Sequence, residues 1–183
     1  MGEYEVLKYE NKLPLVILRP AAIYGPQDKD LFPFFKFASH GVFPILAAGS
    51  DSTVQFLFVE DLVKLCNIII NRTKINDSVY FISEEKHYTW KEISNIFGDI
   101  LNKKLLNIVF PGAAVNFAAF VSEIFMKLQG KPAVFNRQKV REIRQKHWAG
   151  DAAEISHEFN YVFTSLPVGA KITYDWYKKN NWL

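Results

Sequence analysis

Leu15-Val16-Ile17-Leu18-Arg19-Pro20-Ala21-Ala22-Ile23-Tyr24-Gly25-Pro26 opens with four apolar residues in a row, bounded by Pro14 and Pro20. A short unbroken apolar run, rich in β-branched side chains, is the pattern of a strand covered on both faces, as in a parallel sheet. Such a strand needs neighbours. Little else in the chain offers several of them, so the expectation is that they lie in sequence outside it. Upstream, residues 3–9 read as the tail of a helix that closes near Asn11 and Pro14. Downstream, Tyr24-Gly25-Pro26 opens a loop.

Further along, strand patterns alternate with helical ones. Residues 30–40 predict an aromatic-rich helix carrying Phe32, Phe34, Phe35 and Phe37, with Pro33 in its first turn and Gly41 as its stop. Residues 53–58 predict a strand. Val59–Ile70 follows as a helix with Val59, Leu62, Val63, Cys66, Ile69 and Ile70 on one stripe. Cys66 lies on that stripe and reads as a small core residue. Val79–Ile82 is another strand. Thr89-Trp90-Lys91-Glu92 is a capping box opening a helix with Ile93, Ile96, Phe97, Ile100 and Leu101 at helical spacing. Residues 107–110 predict a strand, and 113–128, 136–146 and 165–180 predict helices. The alternation is α/β.

Composition bounds the function. The 183 residues suit one ordinary domain, and 49% hydrophobic with 22% charged is a globular balance. Sixteen Phe and eight Tyr promise an aromatic core. A net charge of +3 is too small to argue for nucleic acid, and the basic helix with Arg137, Lys139, Arg141, Arg144 and Lys146 is interrupted by Glu142. A single cysteine forbids an intrachain disulfide. The acidic start is unlike a secretory leader. The longest apolar stretch, residues 105–121, is broken by Asn107, Pro111, Gly112 and Asn116, so no stable membrane insertion is expected. The expected location is the cytoplasm. His40, His87, His147 and His157 are too scattered for a metal, and Glu84-Glu85 too awkward for a carboxylate pair. No G-x-S-x-G elbow occurs.

The segment Leu18-Arg19-Pro20-Ala21-Ala22-Ile23-Tyr24-Gly25-Pro26 resembles the LRP-x-x-x-YGP segment of extended short-chain dehydrogenases/reductases, the NAD-dependent epimerase/dehydratase group. Phe58-Val59-Glu60-Asp61-Leu62-Val63 resembles that group's F-x-V-x-D helix start. Val79-Tyr80-Phe81-Ile82-Ser83 with Tyr88-Thr89-Trp90 resembles its V-Y-N-I strand and following helix. Residues 139–148, Asp151, Trp176-Tyr177 and Trp182-Leu183 resemble the C-terminal region of the 3β-hydroxysteroid dehydrogenase-like branch. The resemblance implies an incomplete Rossmann-type doubly wound fold: its C-terminal strands plus the smaller substrate-binding subdomain, residues 1–183 forming one substrate-side portion. The Gly-rich turn of the cofactor half is missing from this sequence. The group's catalytic Tyr-x-x-x-Lys lies just before a Gly-Glu dipeptide. Here that dipeptide is Gly2-Glu3, so Tyr4 and Lys8, although four apart, are out of register.

The resemblance also assigns roles. Pro20, Ala21, Ala22 and Ile23 would approach the nicotinamide of NAD or NADP in the complete enzyme; no cofactor is expected on this chain alone. Tyr24, Phe34, Phe37 and Val54 are candidate substrate contacts. Arg19 and Asp61 are expected to be structural, Arg19 pairing with Asp61 or Glu60, because an unpaired buried guanidinium is costly. No catalytic residue and no metal is expected. Nucleotide-sugar members carry Arg-Asp-Phe where this chain has Val54-Gln55-Phe56, which removes the charge that holds a diphosphate and points to a bulky apolar hydroxyl or ketone substrate. The expected partners are that small molecule, the missing N-terminal half, and a second copy joined through the exposed strand. The alternative from a different class is a non-catalytic, stand-alone module that binds an apolar ligand or dimerises.

Overall fold

The computed structural model describes residues 2–46, 53–72, 75, 79–110 and 153–183. Two compact units emerge. The first holds α1 (Gly2–Leu7), β1 (Ile17–Pro20), β2 (Ala22–Tyr24), β5 (Phe56–Phe58), α3 (Val59–Ile70), β6 (Val79–Ile82), α5 (Ala153–Phe159) and α6 (Leu166–Lys179). The second holds α2 (Phe32–Ser39), β3 (Val42–Leu46), β4 (Thr53–Val54), β7 (Tyr88–Thr89), α4 (Trp90–Leu101) and β8 (Leu106–Phe110).

In the first unit β1 runs parallel to β6, from Ile17 opposite Val79 to Pro20 opposite Ile82. A neighbour for the opening strand therefore exists inside the chain, in the Val79–Ile82 run. The strand then changes partner. Ala21 N–H still donates to the Ile82 carbonyl at 2.9 Å, but Ala22 N–H donates to the Gln55 carbonyl at 3.3 Å, and β2 continues parallel to β5. Pro20 has no N–H to give and sits where β1 ends, the place a sheet tolerates proline. The core joins Leu57, Leu65, Ile69, Tyr80, Ile82, Ile155 and Phe159, with Val16 and Leu18 packed against it.

Helix α3 begins and ends where the sequence predicts, but its buried face differs. Asp61, Leu65 and Ile69 point inward at i, i+4, i+8, while Val63 and Ile70 are 64% and 80% exposed. The apolar face of the helix is broad, and the buried stripe includes Asp61, whose partners come from the distant Tyr161 and Thr164. Local pattern therefore could not say which edge of that face would win. Helix α5, with Ile155 and Phe159 buried one turn apart, went unread in the sequence.

In the second unit β3, also unread, pairs in parallel with β8. Helices α2 and α4 meet through Phe35 and Phe97, stacked at 4.1 Å. The capping box forms: Glu92 N–H donates to Thr89 Oγ1 at 3.2 Å, and Thr89 N–H donates to Glu92 Oε2 at 2.8 Å. The expected strand 53–58 is broken at Gln55. Val54 pairs antiparallel with Tyr88 in the second unit, and Phe56 pairs in parallel with Ala22 in the first. The helices read at 113–128 and 136–146 lie outside the described residues.

Candidate functional site

In open α/β sheets ligands bind beyond the C-terminal ends of the strands. Here that region is the partner switch at Ala21-Ala22. Pro20 is exposed, Ala21 and Ala22 are half-buried, and Ile23 is 44% exposed. These residues present backbone and small or aliphatic side chains, with no charge. An uncharged surface of this kind can meet a planar ring through van der Waals contact. It offers nothing for a pyrophosphate. Pro20, Ala21, Ala22 and Ile23, to which the resemblance assigned the nicotinamide, all lie at this strand end.

Tyr24, expected at the substrate, is only 2% exposed. Its ring meets Phe56 edge-on and Phe58 at a tilt, both at 5.6 Å, and its hydroxyl fills the space beside Gly169. Tyr24 therefore backs the strand end from within the core. The other three candidates belong to the second unit. Phe34 stacks on Trp90 at 5.9 Å and leans on Phe43, Phe37 is 51% exposed, and Val54 is half-buried on β4. The two Phe residues stand one helical turn apart on α2, and only Phe37 faces solvent broadly.

The expected Arg19–Asp61 pair does not form. Arg19 Nε donates to Glu3 Oε1 at 3.0 Å, and its guanidinium lies over the Phe81 ring at 5.2 Å. That hydrogen bond is the main reason the Glu3 carboxyl titrates below its usual range and Arg19 above its own. Arg19 is only half-buried, so it can reach an exposed carboxylate and needs no buried one. Asp61 is itself deeply buried and accepts from Tyr161 Oη at 2.9 Å, Thr164 N–H at 2.6 Å and Thr164 Oγ1 at 3.1 Å. It pins the segment after α5 to the start of α3. Burial, then this bond to Asp61, raises the Tyr161 phenol. Glu60 pairs instead with Lys64.

Two residues outside the expected site hold the strand ends together. Gln55 is buried, its Nε2 donates to the Glu84 carbonyl at 3.3 Å, and its Oε1 accepts from no group among the described residues. Glu84 N–H donates to the Phe56 carbonyl, and Glu84 Oε2 accepts from Leu166 N–H at 2.9 Å. The departure from Arg-Asp-Phe pointed at Gln55; Glu84 was weighed only as half of a carboxylate pair with Glu85, and no local pattern marks its bond to Leu166. Tyr4 is exposed, and Lys8 bonds Glu5 at 2.8 Å and lies over the Tyr4 ring at 5.0 Å. Among the described residues no cluster of His, Cys, Asp or Glu could hold a metal, and no helix is long and apolar enough to cross a membrane. A separate polar cleft of about 630 Å³ in the second unit is lined by Ser94, Asp99, Asn102, Lys103, Lys104 and Asn107 among others, and includes none of the expected site residues.

Comparison with solved structures decides the architecture. The chain matches an epimerase, Mth375, from Methanothermobacter thermautotrophicus with a TM-score of 0.70 at 17% identity, over 99% of this chain and 48% of that one. It matches the UDP-glucuronic acid 4-epimerase of Bacillus cereus, solved with UDP-glucuronic acid and NAD, with a TM-score of 0.68 at 19% identity, over 98% and 50%. The chain has the fold of the NAD-dependent epimerases and dehydratases. It carries about half of that fold, and its extent agrees with a C-terminal portion. In sequence it is 29% identical to the ceramide reductase of Caulobacter vibrioides over 174 residues, 92% of this chain and 52% of the relative. It is 25% identical to short-chain dehydrogenase/reductase family 42E member 1 of Danio rerio over 153 residues, 75% and 39% respectively. The chain thus spans about half or less of the length of the curated relatives it matches. No protein-family model matches it.

Proposed function

We propose that this chain is the substrate-side portion of an NAD(P)-dependent oxidoreductase. The complete enzyme would move hydride between nicotinamide and a hydroxyl- or ketone-bearing carbon of a bulky, apolar substrate. Pro20, Ala21, Ala22 and Ile23 lie along the nicotinamide. Phe34, Phe37 and Val54 contact the apolar part of the substrate, and Tyr24 stiffens the strand end from behind. The cofactor's phosphates and the proton-transfer pair come from a Rossmann half that these residues do not include, so the chain alone turns over no substrate. Its place of action is the cytoplasm.

The observation that carries the apolar reading is the state of Val54-Gln55-Phe56. No guanidinium stands at these three positions, and the Gln55 amide donates to the Glu84 carbonyl, so this stretch offers no cation to a diphosphate. The likeness to a ceramide reductase supports the same direction, since a ceramide is a long-chain lipid with hydroxyl groups.

Titration of the purified chain with NADH and NADPH, following nicotinamide fluorescence, tests the division of labour. No saturable binding is expected, and saturable binding would show that these residues rebuild a cofactor site. Calorimetric titration with UDP tests the substrate class. No heat is expected, and a saturable site would return a nucleotide sugar. Among the described residues β1 pairs on one side, with β6, and its other edge is proposed to recruit a second copy through residues 13–20. Sedimentation over a concentration series should show dimer, and a strict monomer would sink that part.

A further inference from the structure

Helix α6 touches the site from behind at three levels. At its first turn Leu166 N–H donates to the Glu84 carboxylate at 2.9 Å, so a negative charge sits on the helix's positive end. Within the next turn Gly169 has no side chain, and the Tyr24 hydroxyl oxygen lies 2.2 Å from where a Cβ would be. Two turns further on, Tyr177 Oη donates to the Asp28 carbonyl at 2.6 Å. Glu84, Tyr24 and Asp28 belong to three separate segments: the chain after β6, the end of β2, and the loop after β2.

Tyr177 is fully buried, and its ring is held independently of the bond its hydroxyl makes. It stacks on Trp182 at 5.5 Å and 14°, and meets Trp176 edge-on at 5.9 Å, while the two Trp rings meet each other at 5.1 Å. A phenylalanine would pack in this clamp equally well. The hydroxyl reaches the loop. That loop, residues 25–30, turns through Gln27 in the left-handed region at φ 71°. Asp28 N–H closes it on the Gly25 carbonyl at 3.1 Å, and Asp30 N–H on Asp28 Oδ1 at 2.7 Å.

We propose that Tyr177 is a positioning residue. Its hydroxyl fixes the path of loop 25–30, and through it the outward-facing run Pro20 to Ile23. The inference rests on the reading of that run as the place where nicotinamide and substrate lie. A side chain on the last helix thereby sets the geometry of a site it does not touch.

The test is amide hydrogen exchange, followed by mass spectrometry, on the full chain and its Tyr177→Phe variant. One buried hydrogen bond is lost and the shape is kept. Peptides within residues 21–30 should exchange on the order of fivefold faster relative to peptides from α3. No change in 21–30 overturns the proposal, because the bond then does not hold the loop. Equal acceleration in α3 also overturns it, because Tyr177 is then only a core residue. Trp182→Phe, which loosens the clamp but keeps the hydroxyl, should leave loop exchange near wild type. A loop response as large as that of Tyr177→Phe would show that ring packing, and not the hydroxyl, sets the loop. Nicotinamide is absent from this experiment, so failure of the cofactor reading shows separately, in the titration.

Discussion

At the scale of single residues, what matters most is space. The Tyr24 hydroxyl occupies the position a side chain at 169 would need, with Tyr24 Cζ 2.9 Å and Phe58 Cδ2 3.0 Å from the same point. Gly169→Ala should therefore destabilise the chain by about 1–3 kcal/mol, read as a fall in urea midpoint. Tyr24→Phe should recover part of that loss in the double variant, because removing the hydroxyl removes the nearest obstacle. Additive losses would mean that the two residues do not meet. Arg19 shows the opposite limit. Its residue type, following an apolar strand, argued for a buried partner, yet a half-exposed guanidinium settled on Glu3 and the Phe81 ring. Charge alone does not choose among carboxylates. The choice was made by where α1 runs, which no local pattern specifies.

At the scale of elements, legibility followed the strength of local signals. Val59–Ile70 and Val79–Ile82 stand where periodicity and composition put them. The capping box at Thr89 formed because its two bonds are local and reciprocal. Thr89→Ala should cost about 1 kcal/mol, measured by thermal unfolding; a loss within error would mean that tertiary packing alone fixes the start of α4. Strand β3 and helix α5 were missed because each is short, and because packing, not propensity, stabilises them. The break at Gln55 is a tertiary effect too. An apolar run reads as one strand until two different neighbours claim its halves.

At the scale of the molecule, the aromatic content has an electrostatic consequence. Burial first, then the nearby carboxylates, raises the phenols of Tyr161 and Tyr177 well above the ordinary tyrosine value of 10. A group whose pKa is raised on folding adds stability that is complete below its unfolded pKa and is lost as pH rises past it. Stability should thus hold up to about pH 10 and fall above it, since the unfolded chain then releases protons that the folded one retains. Ultraviolet titration should show part of the chain's eight tyrosines ionising only as it unfolds. A single smooth phenol titration, with the fold intact throughout, would contradict the burial of both groups.

By itself the sequence determined the α/β class, the resemblance to extended short-chain dehydrogenases/reductases, most element boundaries and the absence of a charged residue at Val54-Gln55-Phe56, because these rest on residue identity and near-neighbour spacing. Tertiary structure alone decided which stripe of α3 is buried, which carboxylate Arg19 takes, that Tyr24 faces inward, and that Tyr177, 149 residues from Asp28, reaches the loop beside the strand end. These contacts join residues far apart in the chain, and a choice among chemically equivalent partners is made by backbone path, which local sequence does not encode.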